Sequence, residues 1–195
     1  MDFILLAWLF ALAVTIHNVE EAILLPAWSQ TAGRWHHPVG PREFRFAVSV
    51  LTVAACVAVL MAVIQGKESV GAYFLSGYAL AMLLNVLFPH VIATVVLRRY
   101  APGTLTSLFL NLPVTLLLIR QGLQEGYIHL QKFLWAGPMV VVMILLSIPL
   151  LLALGKRLPA LKNSIELSAR SCRYARRIPS FRAPGLRRPD RRRPR

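Results

Sequence analysis

Cysteine is almost absent from this chain: Cys56 falls in an apolar run and Cys172 in a basic tail. Two thiols so placed exclude a disulfide framework, and no C-x-x-C pair offers a zinc knuckle. Acidic side chains are scarce as well, eight Asp and Glu against 22 Lys and Arg. No G-x-x-x-x-G-K-[ST] segment exists to cradle a phosphate, and neither Ser29 nor Thr104 has a visible base partner that would make it a nucleophile. The opening Met-Asp-Phe-Ile lacks the cationic stretch of a cleavable leader. The first apolar run also exceeds the roughly 7–15 residues of a leader's hydrophobic core, so it reads as a retained helix.

What the chain has in abundance is hydrocarbon. It is 56% hydrophobic with a mean hydropathy of +0.58, gathered into long runs, which points to an integral all-α membrane protein. Segments 3–25, 46–64, 70–97, 104–119 and 133–154 approach or exceed the about 20 residues a span needs, so the fold expected is a bundle of about five transmembrane helices over 1–155. Pro89, Pro113, Pro138 and Pro149 do not veto these helices, because neighbouring helices can satisfy the freed carbonyls.

The charge is lopsided. Segment 156–195 carries 14 of the 22 cations against only Glu166 and Asp190. Beside a membrane domain such a basic tail suits anionic lipid headgroups, with no nucleic acid expected. Leu158, Leu161, Ile165 and Cys172 recur there at helical spacing, predicting a short amphipathic helix; beyond Pro179 the Pro-Arg-rich sequence predicts disorder. Arg34, Arg42 and Arg45 in the first connection, and Arg98 and Arg99 in the third, lie on the tail's side. The positive-inside rule therefore puts the amino terminus outside and the carboxyl terminus in the cytoplasm, across a plasma (inner) membrane.

Against this background, His17-Asn18-Val19-Glu20-Glu21 stands out in the first span. On insertion scales each carboxylate costs about 2.5–3.5 kcal/mol at a helix centre. Thirteen Leu, Ile, Val and Phe residues in the same run each return roughly 0.3–0.6 kcal/mol, so insertion nearly balances. Residues that make a span marginal are functional candidates. His17, Glu20 and Glu21 lie one turn apart, inside a sector about 100° wide. That spacing suits metal ligation from one helix. His17, Glu21 and His90 form the expected ligand set for a divalent ion (Zn, Fe or Mn), with Asn85 or Asn111 orienting a ligand or substrate. Glu20 or Glu21, whichever does not bind the metal, is a candidate general base. With the spans alternating in direction, His17, Asn85, His90 and Asn111 are expected in one layer in the cytoplasmic half. A metal-free reading makes the same cluster a proton-sharing group, and a purely structural reading makes it interhelical glue. His36-His37 reads as an interfacial loop with Trp35 as anchor, and His129 as an interfacial residue on the opposite face.

These residues resemble the HXXEE-domain family of small integral membrane proteins. His17, Glu20 and Glu21 match its first-helix motif, and Asn85 with His90 match an Asn-then-His pattern in a later helix. Tyr100, Pro102, Gly103 and Thr106 match a Tyr-x-Pro-Gly-x-x-Thr segment. The likeness spans roughly residues 3–120 and implies a multi-spanning protein with about four helices in the shared region and a suspected enzymatic activity. A fifth span and the tail lie beyond it. On physical grounds the Pro102-Gly103 turn reads as structural: proline ends the third helix, glycine permits the reversal, and Thr104 or Thr106 caps the fourth. The leading reading of the whole is a metal-dependent membrane hydrolase acting on an amphiphilic or lipid substrate. The alternatives are a small proton- or cation-coupled transporter using the same cluster, and a structural partner subunit.

Overall fold

The computed structural model describes residues 1–33 and 37–158. Among them there is no strand, and five helices are long and apolar enough to cross a membrane: α1 (Phe3–Ser29), α2 (Pro41–Gln65), α3 (Val70–Leu97), α4 (Thr104–Gln124) and α5 (Leu130–Arg157). They belong to one compact unit, Met1–Arg157. Each helix matches a segment expected from the sequence, and four run several residues further at one or both ends. In α2, α4 and α5 the extra length is mostly polar (Arg42, Glu43 and Arg45; Arg120, Gln121 and Gln124; Gln131, Lys132, Lys156 and Arg157), which a hydropathy reading does not register. Asp2 caps α1 by accepting from Leu5 N–H at 2.7 Å, Glu43 accepts from Gly40 N–H ahead of α2, and Ser69 caps α3 by accepting from Ala72 N–H. Lys156 and Arg157 form the basic last turn of α5. The rest of the tail, with its expected amphipathic helix and disorder, lies outside the described residues apart from exposed Leu158. Arg34, Trp35 and His36 also lie outside them, and His37 is exposed.

Helices with no hydrophobic driving force between them associate through close packing and polar contacts. On α1 the buried stripe is Phe3, Leu6, Ala7, Phe10, Val14 and His17, at three- and four-residue steps. Its other faces, with Leu5, Trp8, Leu12 and Ile23, are exposed and equally apolar, so sequence periodicity is silent about which side packs. Small residues let backbones approach: a Cβ on Gly71 of α3 would lie 2.5 Å from the Met61 carbonyl carbon of α2. Asn18 Nδ2 donates to Thr52 Oγ1 of α2 at 2.7 Å.

Prolines inside the helices are compensated or exploited. Pro26 cannot donate to the Ala22 carbonyl one turn back, and Arg45 Nε of α2 donates to that carbonyl instead, at 3.2 Å. In α3 the regular helix stops at Asn85. Phe88, before Pro89, is extended (φ −125°, ψ 121°) inside a widened turn over Val86–Val91, after which the helix resumes. The residue before a proline is pushed out of the helical region, and that break shapes the site described next. A second widened turn, Ser107–Asn111, lies near the start of α4.

Candidate functional site

His17 and Glu21 project from one face of α1, with Nε2 and Oε2 3.8 Å apart. His90 reaches them from the far side of the break in α3, its Nε2 3.3 Å from Glu21 Oε1. The two imidazoles meet edge to face at 4.9 Å between centroids, and each is only 1% exposed. Asn85 completes the cluster: its Nδ2 lies 3.0 Å from His90 Nε2 and 3.3 Å from His17 Nε2. In an unbroken helix residues five apart point about 140° away from each other. The widened turn brings Asn85 and His90 onto the same spot.

The two adjacent glutamates, interchangeable in the sequence, have separate jobs. Glu20 turns from the imidazole Nε2 atoms towards the α3–α4 connection and accepts three hydrogen bonds there. Its donors are the Tyr100 hydroxyl, Gly103 N–H at 2.9 Å and Thr106 Oγ1–H at 2.6 Å. Tyr100 lies in the connection itself; partial burial, reinforced by the neighbouring Glu20, pushes its phenol above the ordinary range, so it remains a donor.

Thr106 links the two halves. Its hydroxyl has one hydrogen, and the carboxylate at 2.6 Å takes it in preference to the Gly103 carbonyl at 3.2 Å. The oxygen then accepts from His17 Nδ1, 3.0 Å away. His17 therefore carries its proton on Nδ1 and turns the Nε2 lone pair towards Glu21, His90 and Asn85. This is the outer-shell arrangement that fixes the tautomer of a metal-binding imidazole.

Gly103 is the floor of the site. Its φ of +87° lies in the left-handed region, and a Cβ there would stand 2.6 Å from His90 Cε1 and 2.8 Å from His17 Cε1. Only glycine satisfies both the backbone and the space. The connection is locked around it: Thr94 and Thr104 hydroxyls lie 2.8 Å apart, Ala101 N–H donates to Thr94 Oγ1, and Arg99 Nη2 donates to the Thr31 carbonyl beyond α1.

Thus His17, Glu21, His90 and Asn85 are brought together as expected. Asn111 is not among their partners. It is fully buried, and its amide makes no hydrogen bond among the described residues. The site forms at Gly103–Thr106, so Asn111 lies about 7.5 Å further along its helix than Thr106. Tyr100, Gly103 and Thr106 are the site residues that the structural reading of the turn passed over. The expected threonine cap is absent, since the N-cap position of α4 is Gly103, which offers no side-chain cap. The Tyr-x-Pro-Gly-x-x-Thr pattern was the available signal. His129 pairs with Glu68 at 3.0 Å, both exposed.

One oxygen and two nitrogens of His17, Glu21 and His90 lie within 4.8 Å of one another. Donors about 2.0–2.2 Å from a tetrahedral ion stand about 3.3–3.6 Å apart. His17 Nε2 lies 3.8 Å from Glu21 Oε2 and His90 Nε2 lies 3.3 Å from Oε1. One atom from each residue gives a set spread over as much as 4.8 Å, so the two-imidazole, one-carboxylate chemistry suits a divalent ion once the side chains close by about 1 Å.

Known proteins agree with the motif. A family model described as "Protein of unknown function with HXXEE motif" matches residues 8–118. The uncharacterized protein YrkK of Bacillus subtilis (strain 168) is 38% identical over 148 residues, covering 76% of this chain and 94% of that protein. No solved structure matches. The model spans more than half of the chain, including both histidines, both glutamates and the Gly103 turn: this protein belongs to the HXXEE family.

Proposed function

We propose that this protein is a membrane enzyme in which His17, Glu21 and His90 hold a divalent ion, Zn, Fe or Mn, for hydrolysis of an amphiphilic or lipid substrate. The observation that carries this reading is the direction of the His17 lone pair. A hydrogen-bonded series, Glu20 to Thr106 to Nδ1, keeps the proton off the side that faces Glu21 and His90. That lone pair, the His90 Nε2 and the Glu21 carboxylate converge on one spot, which is what a shared cation needs. When bound, such an ion supplies Lewis acidity and a more acidic water at neutral pH. Glu21 would give one carboxylate oxygen to the ion. Because Glu20, the expected base when Glu21 binds metal, is already engaged by three donors, the other Glu21 oxygen would take the proton from the attacking water. Glu20, with three donors already on it, holds geometry. The level of the site, floored by the α3–α4 connection at one end of the bundle, supports a substrate that lies along the membrane boundary. The surrounding orientation is amino terminus outside and carboxyl terminus cytoplasmic in the inner membrane, with the basic tail on anionic headgroups.

The test is metal analysis of detergent-purified protein. One ion per chain is expected, lost in His17→Ala, His90→Ala and Glu21→Gln but retained at lower affinity in Glu20→Gln. Folded wild-type protein without stoichiometric metal at saturating Zn²⁺, Fe²⁺ or Mn²⁺ would sink the reading.

One observation favours a second reading, proton- or cation-coupled transport. The series from buried His17 through Thr106 and Glu20 ends at Tyr100, which is exposed, as a proton path would. In that case proton-driven uptake in vesicles disappears in Glu20→Gln, and no metal is needed.

A further inference from the structure

Among the described residues, polar features outside the roles given so far include the amide of Asn111, the exposed Glu68–His129–Lys132 group and the amide of Asn85. Asn85 carries the most. It stands at contact distance from two nitrogens of the proposed ligand set, which makes it more than a neighbour of the site.

An amide nitrogen only donates, so both Nε2 atoms accept from Asn85, one hydrogen each. For His17 this agrees with the proton already placed on Nδ1. The amide nitrogen thus occupies the position where the two lone pairs converge, with Glu21 beside them. A carboxamide is nearly symmetric in shape: a half-turn about its terminal bond exchanges the donor nitrogen for an acceptor oxygen without moving the rest of the side chain. From the metal-binding reading above, on which this rests, we infer that Asn85 is the fourth ligand, coordinating through Oδ1 after that half-turn.

The physical case is one of charge. The group facing two imidazole lone pairs must be electropositive, and the same group facing a cation shared by those lone pairs must be electronegative. Asparagine can be either at one position. Leucine can be neither, and aspartate only the second. Two imidazoles, a carboxylate and a carboxamide oxygen give a four-donor nitrogen–oxygen set of the kind taken by Zn²⁺, Fe²⁺ or Mn²⁺, with no sulfur to favour Cu⁺. Asn85 would also be the selector of occupancy, because every ion that enters must displace two N–H donors by turning one side chain.

Zn²⁺ affinity and the visible spectrum of Co²⁺-loaded full-length protein in detergent test this. Asn85→Leu is expected to bind at least tenfold more weakly, with a changed Co²⁺ band. That loss alone would also follow if the amide merely propped the rings. Asn85→Asp decides: an anionic oxygen ligand tightens Zn²⁺ at least tenfold, whereas loss of a propping donor loosens it. Weaker binding in Asn85→Asp, or a Co²⁺ spectrum unchanged in Asn85→Leu, overturns the fourth-ligand assignment and leaves the three-residue site standing. If the wild-type protein binds none of Zn²⁺, Co²⁺, Fe²⁺ and Mn²⁺, the metal reading itself fails and takes this inference with it.

Discussion

Single residues decide whether the imidazoles face each other. Gly103 is the most exacting, since it meets both rings and holds a positive φ. Gly103→Ala is expected to lower stability by about 1–3 kcal/mol from overpacking and backbone strain and to abolish stoichiometric metal. Thermal unfolding in detergent, run beside metal analysis, checks both. Thr106 acts at one remove, as acceptor from His17 and donor to Glu20. Thr106→Val keeps the shape and loses both bonds, so metal affinity is expected to fall about 10–100-fold, with recovery in Thr106→Ser. Equal affinities in the valine and serine variants would remove the tautomer argument. His17, Glu20 and Glu21 were legible from spacing alone, because one turn of helix puts them in one sector. Their division of labour was not, because it depends on donors presented by a different segment 80 residues away.

At the scale of elements, two irregularities make the site: the break before Pro89 and the short connection from Arg98 to Gly103. A hydropathy pattern reads α3 as one uninterrupted span, and in a regular helix Asn85 and His90 would point about 140° apart even at a shared level. The widened turn over Val86–Val91 brings them together, for the local reason that proline displaces the residue before it. The opposite end of the bundle is tied differently. Glu68 in the α2–α3 connection pairs with His129 and with Lys132 of α5. The hydrogen bond from His129, aided by Lys132, holds the Glu68 carboxyl below its ordinary value of 4.5. A depressed carboxyl adds stability above pH 4.5 that is lost as pH falls through its folded value. Glu68→Gln is therefore expected to lower the melting temperature slightly at pH 7, the group being exposed, and to shrink the acid limb by the same small amount. An unchanged acid limb would show that this tie carries nothing.

For the whole molecule, five spans place the site-bearing α3–α4 connection and the α1–α2 connection, which Arg99 and Thr31 tie together, at the same end. The orientation proposed above, from the positive-inside rule, predicts that end in the cytoplasm. With Cys56 and Cys172 replaced, a cysteine at Lys67 is expected to react with a membrane-impermeant maleimide in intact cells, and one at Arg98 only after lysis. The reverse pattern would invert the orientation and put the site on the outer side.

By itself the sequence determined that the chain spans a membrane, about how often, and which ionisable residues interrupt the first helix. Those follow from composition and one-turn spacing, properties that a linear chain already contains. Which carboxylate faces the histidines, why glycine stands at 103, and that Asn85 touches both rings were decided only by tertiary structure. Contacts between α1, a broken α3 and the start of α4 join residues far apart in the chain. On these uniformly apolar helices no periodicity marks beforehand which face will meet which.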